Sequence, residues 1–146
     1  MQLSIWYENE DIPSHCREGM EGMLARIAPA IANAVDVPVD SENYHIILTS
    51  QDYIRRLNRD FRCKDCVTDV LSFPLGSEEE ITGEIYICWD RINSQASEYG
   101  HSWQREFSYL LVHGILHLLG FEHGDEPNPA MRELEEKILE HMGMGR

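Results

Sequence analysis

Long apolar runs are missing from this chain: no stretch approaches the ~18–20 residues that a bilayer-spanning helix requires, so no membrane association is expected. The opening residues, MQLSIWYENED, lack the basic segment followed by an apolar one that marks a secretion signal, which makes the cytoplasm the expected location. Cysteine is scarce. Cys16, Cys63, Cys66 and Cys88 are too few to build a disulfide scaffold in a chain of 146 residues. Cys63 and Cys66 form one C-x-x-C. A zinc ribbon needs a second such pair, and a thioredoxin-like site wants the pair at the start of a helix after a strand. The plain reading is two reduced thiols in a loop. Positive charge is also short, with 12 Lys and Arg against 26 Asp and Glu and a net charge of −14. Taken alone, that balance argues against non-specific nucleic-acid binding, which needs a positive face for phosphates.

The distribution of the few cations tempers that exclusion. Five of the twelve lie within residues 55–64: Arg55, Arg56, Arg59, Arg62 and Lys64. The spacing fits a phosphate-facing stripe on an acidic body. It fits the solvated face of a helix equally well. The composition, 42% hydrophobic and 26% charged, is that of a globular chain, and 146 residues suffice for one domain with a real core.

Taken in order, residues 2–7 alternate as an opening strand. Ser14 is the expected cap of a helix running to about Val35, with Met20, Met23 or Leu24, Ile27 and Ile31 as its buried stripe; Pro29 should kink it or end it early. Residues 43–49 read as a second strand, with His45 an ordinary strand residue. Ser50 opens a short helix with Tyr53, Ile54 and Leu57 inward and the arginines outward. Residues 67–73 make a third strand stopping at Pro74, the acidic tract from Ser77 to Glu80 a loop, and residues 83–89 a fourth strand able to pair with the third. Asp90 is the expected cap of a helix ending near Gly100, and Ser102 that of the next. After Pro127-Asn128-Pro129 a last helix carries Met131, Leu134, Ile138 and Met142 as a core stripe. The fold class is α+β: a single domain over residues 1–146, with an about four-stranded mixed sheet and helices packed on it.

Residues 106–125, EFSYLLVHGILHLLGFEHGD, hold three of the seven histidines within eleven positions. His113 and His117 are four apart, one turn above each other on one helix face. Almost no polar face remains around them, so the helix should lie in the middle of the protein. Gly120 is suited to a left-handed helix stop, which lets His123 return toward the other two. A single histidine in such a helix is ordinarily a hydrogen-bonded core residue. Three at these spacings suggest one zinc ion per chain on His113, His117 and His123, with an open fourth position as in catalytic zinc. The pattern H-x-x-x-H-x-x-G-x-x-H matches the metzincin ligand skeleton, making this a metzincin-like metal helix. At the position of the metalloprotease's water-activating glutamate stands Gly114. Peptide hydrolysis therefore has only the ligand skeleton in its favour. Met131 could match the metzincin methionine turn, but its place on a helical stripe favours core packing.

Three blocks resemble the YbeY family, bacterial endoribonucleases that act as ribosomal RNA maturation factors. They are Leu57-Asn58 through Phe61-Arg62 continuing into Thr68-Asp69-Val70-Leu71-Ser72-Phe73-Pro74; Gly83-Glu84-Ile85; and His113-Gly114-Ile115-Leu116-His117-Leu118-Leu119-Gly120-Phe121-Glu122-His123. The resemblance implies zinc on the three histidines and Arg62 as catalytic arginine. It also implies cleavage of single-stranded RNA, trimming of the small-subunit ribosomal RNA precursor at its 3′ end, ribosome quality control and contact with the small subunit. Glu84 departs from the family's usual aspartate and reaches one methylene further. Asp69 and Glu84 are candidate supporting acids, and Glu122 and Asp125 further candidates for a base; Arg55, Arg59 and Lys64 are candidate phosphate contacts. The alternatives are a metalloprotease-like hydrolase and a non-catalytic, zinc-stabilised ribosome-binding factor.

Overall fold

Apolar alternation in four short segments builds one sheet, and helical periodicity elsewhere covers it. The computed structural model describes residues 1–75, 81–121 and 129–145. The expectations for Ser77 to Glu80, Glu122, His123, Asp125, Pro127 and Asn128 lie outside the described residues. The elements run β1 (Gln2–Tyr7), α1 (Ser14–Ala34), β2 (Asn43–Thr49), α2 (Gln51–Arg62), β3 (Val70–Pro74), β4 (Gly83–Cys88), α3 (Trp89–Tyr99), α4 (Trp103–Leu118) and α5 (Pro129–His141).

The sheet order is β1-β2-β4-β3. The first three neighbours are parallel, and β3 pairs antiparallel with β4, Val70 opposite Ile87 and Ser72 opposite Ile85. The two β runs flanking the acidic tract thus pair directly, as their alternation suggests, and the sheet is mixed and four-stranded. Ile46, Leu48, Ile85 and Ile87 point to one face, where they join Met20, Ile27 and Ile31 of α1 and Phe107, Leu111 and Ile115 of α4 in the main core. On the other face α2 covers a smaller cluster around Ile54, Leu71 and Cys88. Met131, Ile138 and Met142 are buried in the main core, which settles Met131 as a packing residue on α5.

Local capping follows the sequence at most helix ends. Ser50 accepts from Tyr53 N–H at 3.3 Å, and Ser102 accepts from Arg105 N–H at 3.1 Å. Two expected caps are corrected. Pro13, not Ser14, occupies the cap of α1; its own carbonyl accepts from Cys16 and Arg17, and Ser14 becomes the first helical residue. Asp90 sits within the first turn of α3, because β4 runs straight into that helix and Cys88 takes the cap position. Asp90 still places negative charge at the positive end of the helix dipole. Of the two outcomes expected at Pro29, the early end does not occur. The helix runs through it, losing one backbone bond that the burial of Ile27, Ala30 and Ile31 on either side offsets. β3 begins three residues later than its composition suggests, because the Asp69 carboxylate caps Val70 N–H at 2.8 Å.

Candidate metal and phosphate site

α4 presents three of its sides to protein and one to solvent. Phe107, Leu110, Leu111, Val112, Gly114, Ile115 and Leu116 are buried, whereas His113 and His117, one turn apart, are only partly covered. The helix ends in a Schellman arrangement: Phe121 N–H bonds Leu116 O and Gly120 N–H bonds His117 O, both at 3.1 Å, with Gly120 at φ +93°. The sharp stop expected from Gly120 is therefore present. Position 123, where the third histidine stands, lies outside the described residues.

Each imidazole is tuned by identifiable neighbours. His113 Nδ1–H donates to Glu135 Oε1 at 2.8 Å, and that carboxylate is 4% exposed. The hydrogen bond to Glu135 raises the His113 pKa above its ordinary value against the opposing pull of burial, with further help from the charges of Glu135 and Asp69. Burial lowers the His117 pKa, and the positive charges of His113 and Arg62 lower it further. Tyr109 stacks on His113 with ring centroids 6.1 Å apart, and burial together with the facing Glu135 pushes its hydroxyl pKa up to about 12.

These features suit an imidazole-bound cation. A buried carboxylate on Nδ1 fixes the His113 tautomer and orients Nε2 outward, the usual second support of a zinc-binding histidine. The downward shift at His117 favours its neutral form, the state a ligand requires. Among the described residues no three His, Cys, Asp or Glu side chains form a complete metal cluster. The two on α4 need a further donor from elsewhere, and His123 is the candidate.

Arg62, the last residue of α2, reaches past the edge strand β3. Its Nη2 donates to Ser72 O at 2.8 Å, and its guanidinium lies 4.9 Å from the centre of the Phe73 ring. α2 and α4 pack on opposite sheet faces, so only a long side chain passing the sheet edge can bring charge from one to the other. Ser72 is the pivot: its hydroxyl donates to Gly114 O at 3.3 Å while its carbonyl holds Arg62. Asp69, just before β3, also stands close enough for its charge to act on His113.

The remaining candidates fall elsewhere. Glu84 pairs with Phe73 across β3 and β4, on the face carrying α2, where it accepts from Tyr86 Oη at 3.2 Å. Strand alternation turns it away from Ile85, the β4 residue that faces Gly114. The structure therefore brings Asp69 toward the histidines but not Glu84. Arg55 pairs with Asp65 at 2.9 Å and Arg59 with Asp60 at 3.0 Å, all about half exposed. Lys64 lines a surface cleft with Arg62, Asn58 and Thr68. Cys63 and Cys66 are exposed free thiols just past α2, and Cys66 borders the same cleft. His45 lies on β2 against Trp6, away from α4.

Glu135 is the site residue that sequence reasoning missed. Its signal was present: Met131, Glu135, Ile138 and Met142 share one helical face at spacings of four, three and four, so a carboxylate stands in an apolar stripe.

The architecture defines a single-domain α+β protein whose central helix offers two tuned histidines beside an arginine delivered past a sheet edge. A family model described as Endoribonuclease YbeY matches residues 5–143, and the chain belongs to that family. An Endoribonuclease YbeY of Heliobacterium modesticaldum is 39% identical over 163 residues, covering 100% of this chain and 98% of the relative. One from Carboxydothermus hydrogenoformans is 45% identical over 123 residues, covering 80% and 86%. The solution structure of the Thermotoga maritima protein TM1509 is similar in fold, with a TM-score of 0.68, 29% identity, and coverage of 97% of this chain and 90% of that one. Among the described residues no helix is long and apolar enough to cross a membrane.

Proposed function

We propose that residues 1–146 act as one metal-dependent endoribonuclease domain that cuts single-stranded RNA, in the maturation of the small-subunit ribosomal RNA 3′ end and in ribosome quality control. The observation carrying this reading is the chain of contacts from Arg62 through Ser72 to Gly114, the α4 residue beside His113, within a chain whose relatives are named endoribonucleases. The substrate would be a ribosomal RNA precursor met at the small subunit in the cytoplasm.

His113, His117 and His123 are the proposed holders of one zinc ion per chain. Bound there, zinc supplies a Lewis acid for a phosphoryl oxygen and a water acidified to a pKa of ~7. Glu135 keeps His113 in the ligating tautomer. Arg62 grips a phosphate oxygen through its planar fork and offsets the charge that grows there as the bond breaks. Asp69 is the acid placed to influence the site, through His113. Arg55 and Arg59 can exchange their weak, exposed aspartate partners for phosphates, and Lys64 adds a third cation beside Arg62.

Peptide hydrolysis loses support at Gly114. A Cβ there would lie 3.0 Å from both Ile85 Cγ2 and Ser72 Oγ, so any side chain at the position where a metalloprotease carries its base would be crowded.

Metal analysis paired with a cleavage assay tests the reading. The wild type should hold about one zinc per chain and cut single-stranded RNA, and His113→Ala should lose both. A zinc-loaded wild type that leaves every single-stranded RNA and ribosomal precursor intact would overturn it.

A further inference from the structure

Beside His113 the surface opens into a groove of about 560 Å³ among α3, α4 and α5, lined by Tyr99, Tyr109, Arg105, Arg132, Glu136 and Asp69. It is continuous with the histidine face, since Tyr109 on its wall stacks on His113. Two of its four carboxylates are engaged by neighbouring side chains. Glu106, 1% exposed, receives Gln95 at 2.8 Å and lies 2.6 Å from His101 Nε2. Glu136 accepts from Arg105 through both oxygens at 3.2 Å.

Three groups are left facing outward: Tyr99, Arg132 and Glu140. Tyr99 is 60% exposed, with His101 set 5.9 Å from its ring. Arg132 is exposed and makes no ion pair among the described residues. An open aromatic ring with an uncommitted guanidinium in one groove is the chemistry that holds single-stranded nucleic acid: bases stack on the ring and the cation tracks the backbone. A duplex, whose bases are already stacked and paired, offers neither contact.

We infer that this groove seats the RNA strand flanking the cut, with a base on Tyr99 and a neighbouring phosphate on Arg132. The inference rests on the endoribonuclease reading and extends it. Arg62 ends α2 and is held at Ser72 on the sheet edge, whereas Arg132 stands in the first turn of α5 and lines this groove. The two arginines therefore grip different phosphates of one strand, and the enzyme requires substrate beyond the cut nucleotide. With several acids in the groove, stacking rather than charge carries most of the affinity. Tyr99 and Arg132 are binding residues and take no part in bond breaking.

The test compares wild type, Tyr99→Ala, Arg132→Ala and Arg132→Lys on a single-stranded 20-nucleotide RNA and on a trinucleotide. Both alanine variants should raise KM for the long strand about tenfold with little change in kcat, so that the preference for long over short substrate falls by about that factor. Arg132→Lys should recover most of the loss. For a uniformly 2′-O-methylated strand followed by fluorescence anisotropy, Arg132→Ala should reduce the slope of log affinity against log salt by about 0.7, the value for one phosphate contact on a single strand. Long-strand KM and salt slope equal to wild type in both alanine variants would overturn the groove while leaving wild-type cleavage, and the endoribonuclease reading, standing. A wild type that cuts nothing would strike the underlying reading instead, and the anisotropy titration would still decide whether the groove binds RNA.

Discussion

The Ser72 hydroxyl donates to the Gly114 carbonyl at 3.3 Å, clamping edge strand β3 onto the helix that carries the histidines. The approach is close enough to crowd any side chain at Gly114. Replacing Gly114 by alanine gains ~0.5–1 kcal/mol of helix propensity but adds a Cβ 3.0 Å from Ile85 Cγ2 and Ser72 Oγ. The serine hydroxyl can rotate, whereas Ile85, fully buried and branched at Cβ, yields less easily. Overpacking costs about 1–3 kcal/mol, so Gly114→Ala should destabilise by a net ~1–2 kcal/mol in urea unfolding. Ser72→Ala should relieve part of that cost, and the double variant should be less destabilised than the sum of the two by ~0.5 kcal/mol or more. Wild-type stability in Gly114→Ala would show that Ile85 and Ser72 yield to the added methyl group.

Glu135 supports His113 through one short bond. Glu135→Gln should weaken zinc binding ~10–100-fold, read by competition with a chromogenic chelator. Without the carboxylate, burial is left as the main influence, and the His113 pKa should fall below its ordinary value in a histidine NMR titration. An unchanged zinc affinity would mean that Glu135 merely fills the core.

The pH dependence of metal uptake follows from the same pair. A raised His113 pKa means that its proton persists to higher pH and competes with the metal until pH passes that value. His117, with its pKa lowered, is already neutral below its ordinary range and does not set the limit. Zinc affinity should therefore climb as pH rises through the His113 titration and level off above it. In Glu135→Gln the levelling should move to lower pH. Identical profiles for the two proteins would contradict the link.

Arg62 touches backbone at Ser72 and a ring at Phe73, and is itself exposed. Arg62→Ala should lower the RNA cleavage rate by ~10²-fold, the scale for losing one preorganised donor, while the melting curve stays cooperative. Arg62→Lys should recover only part of the rate, since it lacks the fork. Cleavage and cellular ribosomal RNA processing at wild-type levels in Arg62→Ala would favour the non-catalytic, ribosome-binding alternative.

Thiol reactivity should split evenly. Cys63 and Cys66 are exposed, whereas Cys16 and Cys88 are buried, with burial pushing their thiol pKa values up. Two thiols should react at once with an aromatic disulfide reagent and two only as the protein unfolds. Four fast thiols would show that the clusters around α1 and α2 are open in solution.

Features governed by near neighbours were legible in the chain. The Ser50 and Ser102 caps, the glycine stops at Gly100 and Gly120, the inward stripe of α5 and the pairing of β3 with β4 all depend on residues a few positions apart or on one short connection. The misreadings were competitions that local pattern cannot arbitrate. Ser14 lost the cap to Pro13, and Asp90 lost it because β4 continues directly into α3. Pro29 did not end α1 early, because buried residues on both sides hold the helix together.

By itself, the sequence determined that two imidazoles would stand one turn apart on a helix with a sharp end, because helical geometry is set by the backbone. Tertiary structure alone decided what surrounds them. Glu135 meets His113 from 22 residues away, Arg62 crosses the sheet edge to Ser72, and strand alternation turns Glu84 to the opposite face. Which side chains meet there depends on strand order and helix packing, and those follow from burying the whole apolar surface at once rather than from any local run of residues.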